Sequence, residues 1–248
     1  MREVDILLIS LPGAEARRRL MHAQLDLPGM PPYRVLDAVE GCSLDAPRLA
    51  EIYDEASALR ISGQPLTPGE IGCAASHLAA HRQIAAGGAG AALVLEDDAL
   101  LGHQFLRVLG RLLAIIDPGR PEAVLLSHVV RYSAWGAHRV DKMHALCHPH
   151  EAYGGHAYLI TRAGARAMAS AFARVRTVSD DWRYFMKLGI MRVSALVPYI
   201  VGTSPLSMES QIGDRRRSPP SGKYVLDKLM FQLLVKPALR LRKQEQTW

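Results

Sequence analysis
The chain of 248 residues is 49% hydrophobic, 22% charged and 6% aromatic, which excludes collagen-like, low-complexity and wholly disordered chains and allows a sizeable core. Its net charge of +6 is local: residues 1–210 hold 21 basic and 21 acidic side chains, whereas residues 211–248 hold 9 and 3. That concentration argues against a nucleic-acid surface spread over the domain, and three cysteines are too few for a disulfide framework, pointing to a reducing compartment.

In chain order, VDILLIS (4–10) reads as a buried strand and not a signal peptide, because Pro12 and Gly13 cut the apolar run short. A helix is expected over 14–27, a strand over 33–39 and helical structure over 44–60. Residues 66–88 predict a stronger helix. Thr67 suits its N-cap, Pro68 its first turn, and Glu70 completes a Thr-x-x-Glu capping box before Gly87-Gly88 ends it. AALVLEDD (91–98) reads as a strand buried on both faces, as in a parallel sheet. A helix over 103–116 and a strand over 123–129 follow, then an irregular polar stretch rich in His over 130–152. GGHAYLI (154–160), a helix over 162–175 and apolar segments at 182–189 and 193–201 complete the alternation. The pattern indicates a layered α/β domain with a mostly parallel sheet flanked by helices. No apolar stretch reaches the roughly 18 residues of a membrane span, so a cytoplasmic location is expected.

The strongest chemical signal is Glu96-Asp97-Asp98, three carboxylates at the end of an apolar strand. Ligands of open α/β sheets bind at that edge, and adjacent acids call for a positive partner such as a hard divalent cation with phosphate oxygens. The second signal is Thr67–His77. Gly72, Ala74 and Ala75 give this helix a small surface that permits close approach of backbone or ligand, with Ser76 and His77 near the end of that patch.

Taken together, LTPGEIGCAASHLAAHRQI followed by ALVLEDDALL resembles glycosyltransferase family 25, the lipooligosaccharide galactosyltransferase family of bacteria with collagen-modifying relatives in animals. ILLISLPGAEARRRLM, YRVLDAVEG, YGGHAYLITRAGARAM and VSDDW are similar to further family segments, so the resemblance covers about residues 4–212. It implies a GT-A type, Rossmann-like fold over 1–212 and an inverting transferase that uses UDP-galactose and Mn²⁺ or Mg²⁺. The acceptor implied is a cell-surface glycolipid or oligosaccharide. Carried over by position, Asp98 is the metal ligand, Glu96 contacts nucleotide or sugar, and Asp97 supports either role. The family's Pro-Val-Asp carboxylate falls on Asp181, the candidate general base, with Asp180 its neighbour; Ser179 and the doubled Asp depart from the pattern. Asp37, Glu70, Ser76, His77 and His156 are further candidates for nucleotide-sugar binding.

Other patterns carry less. His77-x-x-x-His81 lacks the Glu that follows the first His in zincins, and His144, Cys147, His148 and His150 lack a second pair at zinc spacing. Residues 213–248 read as a basic tail, in which 223–243 form an amphipathic helix suited to an anionic inner-membrane surface. Two other readings stay open on sequence: a non-catalytic membrane-associated regulatory domain and a metal-dependent phosphohydrolase.

Overall fold
The computed structural model describes residues 4–205 and 241–245. Strand β1 (Val4–Ser10) lies between β2 (Tyr33–Asp37) and β3 (Ala91–Glu96), parallel to both. Beyond β3 come β8 (Ala157–Thr161), β5 (Glu122–Leu125), β9 (Arg192–Val197), β7 (Ala145–Glu151), β6 (Arg131–Arg139) and β11 (Arg242–Lys243), a sheet of nine strands among the described residues. Strands β1, β2, β3, β5, β6 and β9 run one way, while β7, β8 and β11 run the other. A short antiparallel pair, β4 (Ala99–Leu101) with β10 (Val201–Thr203), stands apart from it.

Alternation along the strands fills two cores. Ile6, Leu8, Leu93 and Leu95 face α1 (Glu15–Leu25) and α5 (Phe105–Ile115) through Met21, Leu25, Phe105 and Leu109. Leu7, Ile9 and Val94 point the other way, onto α4 (Pro68–Ala86), α6 (Arg162–Ala171) and α7 (Trp182–Lys187). A sheet buried on both faces explains why β3 is apolar up to Glu96. Its neighbour β8 is nonetheless antiparallel to both β3 and β5, a direction that an apolar run does not encode.

Several expected boundaries shift for local reasons. The segment 44–60 is two helices, α2 (Ala46–Ile52) and α3 (Glu55–Ser62). Extended Tyr53 ends the first, and the Asp54 carboxylate caps the second by accepting from Ser57 N. The capping box of α4 forms as expected: Thr67 Oγ1 accepts from Glu70 N, and Glu70 Oε2 accepts from Thr67 N. The stretch 130–152, expected to be irregular, holds the antiparallel pair β6 and β7. A register break between Ser133 and His138 interrupts their pairing, which hides the alternation that marks a strand. Of the helix expected over 223–243, only 241–243 lie within the described residues, and there Arg242–Lys243 pair with β6 as a strand. Gln244 is buried beside them; its Oε1 accepts from Val129 N and its Nε2 donates to the Leu196 carbonyl. The tail therefore returns to the sheet.

Candidate active site
Because β1, β2 and β3 are parallel, their carboxyl ends share one edge of the sheet. Chain order places β2 and β3 on opposite sides of β1, so this edge contains a topological switch point, where open α/β sheets leave a crevice. A cavity of about 420 Å³ lies there, walled by Ser10, Arg17, Ala38 to Cys42, Gly69, Cys73, Ser76, His77 and Glu96 to Asp98. A second cavity of about 330 Å³ shares Cys73, Glu96 and Asp98 with the first and adds Glu70, Tyr153 to His156 and Val178 to Asp180.

Backbone packing sets the first cavity's wall. A Cβ on Gly72 would overlap the Val39 carbonyl oxygen, and one on Gly41 would overlap that of Pro68. Gly72 of α4 thus admits the chain that follows β2. Ser76 secures the same junction: Val39 N donates to its Oγ, which donates to the Gly72 carbonyl at 2.7 Å. Its hydroxyl is spent on structure although the residue borders the cavity.

The three acids at the end of β3 have three different surroundings. Asp97 is buried and accepts from Ser10 Oγ at 2.7 Å and from Arg17 at 3.1 Å. It ties β1 and α1 to the edge and is neutralised there. Glu96 meets His77 Nε2 at 3.1 Å. Burial acts to raise the Glu96 pKa, but the hydrogen bond and charge of His77, with His156 and Arg17 beyond, hold it below the usual carboxylate value. Burial likewise opposes charge on His77, yet Tyr158, Cys73 and Glu96 around it lift its pKa well above the ordinary value. Both shifts favour the charged forms, an imidazolium beside a carboxylate. Behind it, His77 Nδ1 meets Tyr158 Oη at 2.9 Å and His81 Nε2 meets the same hydroxyl at 2.8 Å. His81 stays neutral, its pKa pushed down to about 3 by burial and by His77. His77 thus contacts Glu96 directly, and His81 stands behind it through the Tyr158 hydroxyl.

Asp98 has no such partner. Its Oδ1 is buried without a hydrogen bond among the described residues. Burial, then Glu96 and Asp97, push its pKa up to about 7 against the opposing pull of Arg17. An orphaned carboxylate oxygen on a residue that lines both cavities, beside two other acids, fits a bound cation.

The remaining candidates divide. Asp180 lines the second cavity, and its Oδ2 accepts from Gly154 N at 2.6 Å. Asp181, expected to be the base, is turned away: Oδ1 caps α7 by accepting from Tyr184 N, and Oδ2 accepts from Thr177 Oγ1. One of the two adjacent acids thus serves the helix N-cap and the other the cavity wall. His156 lines the second cavity with its pKa lowered by burial, against the charges of Glu96 and Asp180. Glu70 borders that cavity from the capping box. Asp37 ends β2 in an exposed ion pair with Arg18 at 2.6 Å and lines neither cavity. His144 pairs with Asp141 while the His148 and His150 rings meet edge to face, and that cluster forms no metal group among the described residues. Arg17, Ser10, Tyr158 and Ser179 escaped sequence reasoning, since their partners are remote in the chain; Ser179 Oγ meets Cys73 Sγ at 3.2 Å.

Known proteins share features with this chain at three levels. The chain is similar to a solved mannose-1-phosphate geranyltransferase from Thermus thermophilus, at 14% identity and a TM-score of 0.42 over 82% of this chain and 75% of that one. It is 31% identical over 123 residues to a Homo sapiens protein described as inactive glycosyltransferase 25 family member 3, a match covering 46% of this chain and 19% of the human protein. The family model of glycosyltransferase family 25 (LPS biosynthesis protein) matches residues 3–183, spanning the first cavity, the acidic edge and both Asp180 and Asp181. The chain belongs to glycosyltransferase family 25.

Proposed function
We propose that the protein is a metal-dependent, inverting hexosyltransferase of lipopolysaccharide assembly. On this reading it moves galactose from UDP-galactose to a glycolipid or oligosaccharide acceptor on a GT-A type fold. The observation that carries the reading is the fate of the three acids: Arg17 and Ser10 satisfy Asp97, His77 satisfies Glu96, and Asp98 alone is left with a buried, unpartnered oxygen among the described residues. Asp98 would hold Mn²⁺ or Mg²⁺, which when bound stabilises charge on a departing pyrophosphate.

The chain's own residues supply the rest. The first cavity receives the nucleotide, with the Arg17 guanidinium on its wall. Glu96, held by His77, accepts hydrogen bonds from ribose or sugar hydroxyls at the boundary of the two cavities. The second cavity receives the acceptor, and Asp180 takes the proton of its attacking hydroxyl. Gly154 N, bonded to the other end of that carboxylate, holds its orientation. Isothermal titration with UDP should show binding that requires Mn²⁺, and UDP release should follow from UDP-galactose plus an acceptor. UDP binding indifferent to Mn²⁺ and chelator would refute the metal assignment. Phosphate release without any acceptor would favour the phosphohydrolase.

We place the protein in the cytoplasm, at the inner-membrane surface through its basic tail. No helix among the described residues is long and apolar enough to cross a membrane. Neutralising Lys228, Lys236 and Arg240 should weaken sedimentation with anionic vesicles by about 1 kcal/mol per charge, and added salt should mimic this. Deleting residues 221–248 is a poorer test, because it also removes Gln244 from beneath Val129 and Leu196 and should lower thermal stability.

A further inference from the structure
Cys73 and His77 stand one turn apart on α4 and share a face. That face meets the end of β3 at Glu96. The Cys73 sulfur, a His77 ring nitrogen and a Glu96 carboxylate oxygen all lie within 4.8 Å of one another, the one such group among the described residues. Its donors differ in kind from those at Asp98. Thiolate, imidazole and carboxylate suit Zn²⁺ and its transition-metal neighbours, whereas Mg²⁺ takes oxygen ligands.

Three further observations fit a binding site. His77 Nδ1 is fixed by the Tyr158 hydroxyl at 2.9 Å, the outer hydrogen bond that a metal-binding histidine ordinarily has, and this leaves Nε2 turned toward Glu96. Thiolate and carboxylate together match the ion's two charges. Cys73 and Glu96 also border both cavities, which gives an entry path and an open fourth position for water. We infer that Cys73, His77 and Glu96 form a site for Zn²⁺ or a similar soft divalent cation, separate from the oxygen site at Asp98, and that an ion there shuts the cleft to its donor. Binding releases the thiol proton and the proton between His77 and Glu96, and it withdraws Glu96 from sugar hydroxyls. That last consequence rests on the nucleotide-sugar reading; the site itself does not.

Co²⁺ tests the site without any turnover, because a cobalt–thiolate bond absorbs in the near ultraviolet. The parent protein for the test is the full chain with Cys42→Ser, since Cys42 is exposed on the same cavity. Titration with Co²⁺ should develop that absorption to a single ion per chain, and Zn²⁺ should erase it. Cys73→Ser should abolish the band with the far-ultraviolet circular dichroism unchanged. His77→Gln should weaken Co²⁺ binding by at least about tenfold, the least that even an outer partner contributes. Asp98→Asn should leave the band in place. No band in the parent, or one that survives Cys73→Ser, overturns the site, and a band lost in Asp98→Asn overturns its separateness. If the band behaves as expected but Zn²⁺-loaded protein binds UDP as tightly as the metal-free form, the shutting of the cleft is overturned and the site stands.

Discussion

Asp98→Asn should lose Mn²⁺-dependent transfer by at least about a hundredfold while becoming the more stable protein when metal is removed. Both effects have one cause. The Asp98 carboxylate sits beside Glu96 and Asp97 with a buried oxygen that no described group satisfies. Without a cation it is a burden on the native state, and an amide of the same size removes the charge. Unfolding in chelator at pH 8 should show a higher midpoint for the variant, by roughly 2–4 °C for each kcal/mol gained. A variant that keeps near-normal turnover would place the metal elsewhere, and one that is inactive but no more stable would show that Asp98 is not an orphan.

The pH dependence follows with opposite signs at two buried groups. Asp98 titrates near 7 in the metal-free fold against 3.8 in an unfolded chain, so between these values the native state holds the extra proton and stability falls as pH rises. His81 titrates near 3 in the fold against 6.5, so in that window the unfolded state holds the extra proton and stability falls as pH drops. Each slope approaches about 1.4 kcal/mol per pH unit, and they oppose each other between roughly pH 4 and 6.5. Metal-free parent protein should therefore show a shallow profile there. Asp98→Asn should uncover the His81 slope and lose stability steadily as pH is lowered from 6.5. A profile equally shallow in the variant would mean that His81 is not held neutral.

The sequence discloses what is local. The capping box at Thr67 and Glu70, the apolar strand before Glu96 and the alternation of strands with helices as far as α5 are all encoded within a few residues, and they form as read. Contacts between remote segments are not encoded that way. Nothing near residue 97 announces that Asp97 is claimed by Ser10 and Arg17, or that Ser76 belongs to the backbone at Val39. The direction of β8 is equally silent, because a strand covered on both faces reads the same either way. The pair at 180 and 181 illustrates the limit best. Two adjacent acids of one kind differ only in where the chain turns, and the turn is set by where α7 begins.

Between those two acids the chemistry should separate cleanly. Asp180→Asn should reduce kcat by about 10² to 10⁴, the usual worth of a general base, with UDP affinity and stability nearly unchanged. An asparagine can still accept from Gly154 N through its amide oxygen, so the loop keeps its place while the proton acceptor is gone. Asp181→Asn should do the reverse. Its carboxylate is raised in pKa by burial and by Asp180, against the hydrogen bonds from Thr177 and Tyr184, and such a shift alone would suit a base. The geometry argues the other way, because both oxygens already accept from Tyr184 N and Thr177 Oγ1 and the residue borders neither cavity. An asparagine keeps the cap bond to Tyr184 and weakens the bond to Thr177, so Asp181→Ala is the sharper variant. It should cost about 1 kcal/mol of stability through the lost cap, and kcat should fall by much less than in Asp180→Asn. Rates measured at saturating donor well below each unfolding midpoint distinguish the two effects. If Asp181→Asn proves the slower enzyme while remaining fully folded, the proton passes to Asp181 and the cap must open during turnover.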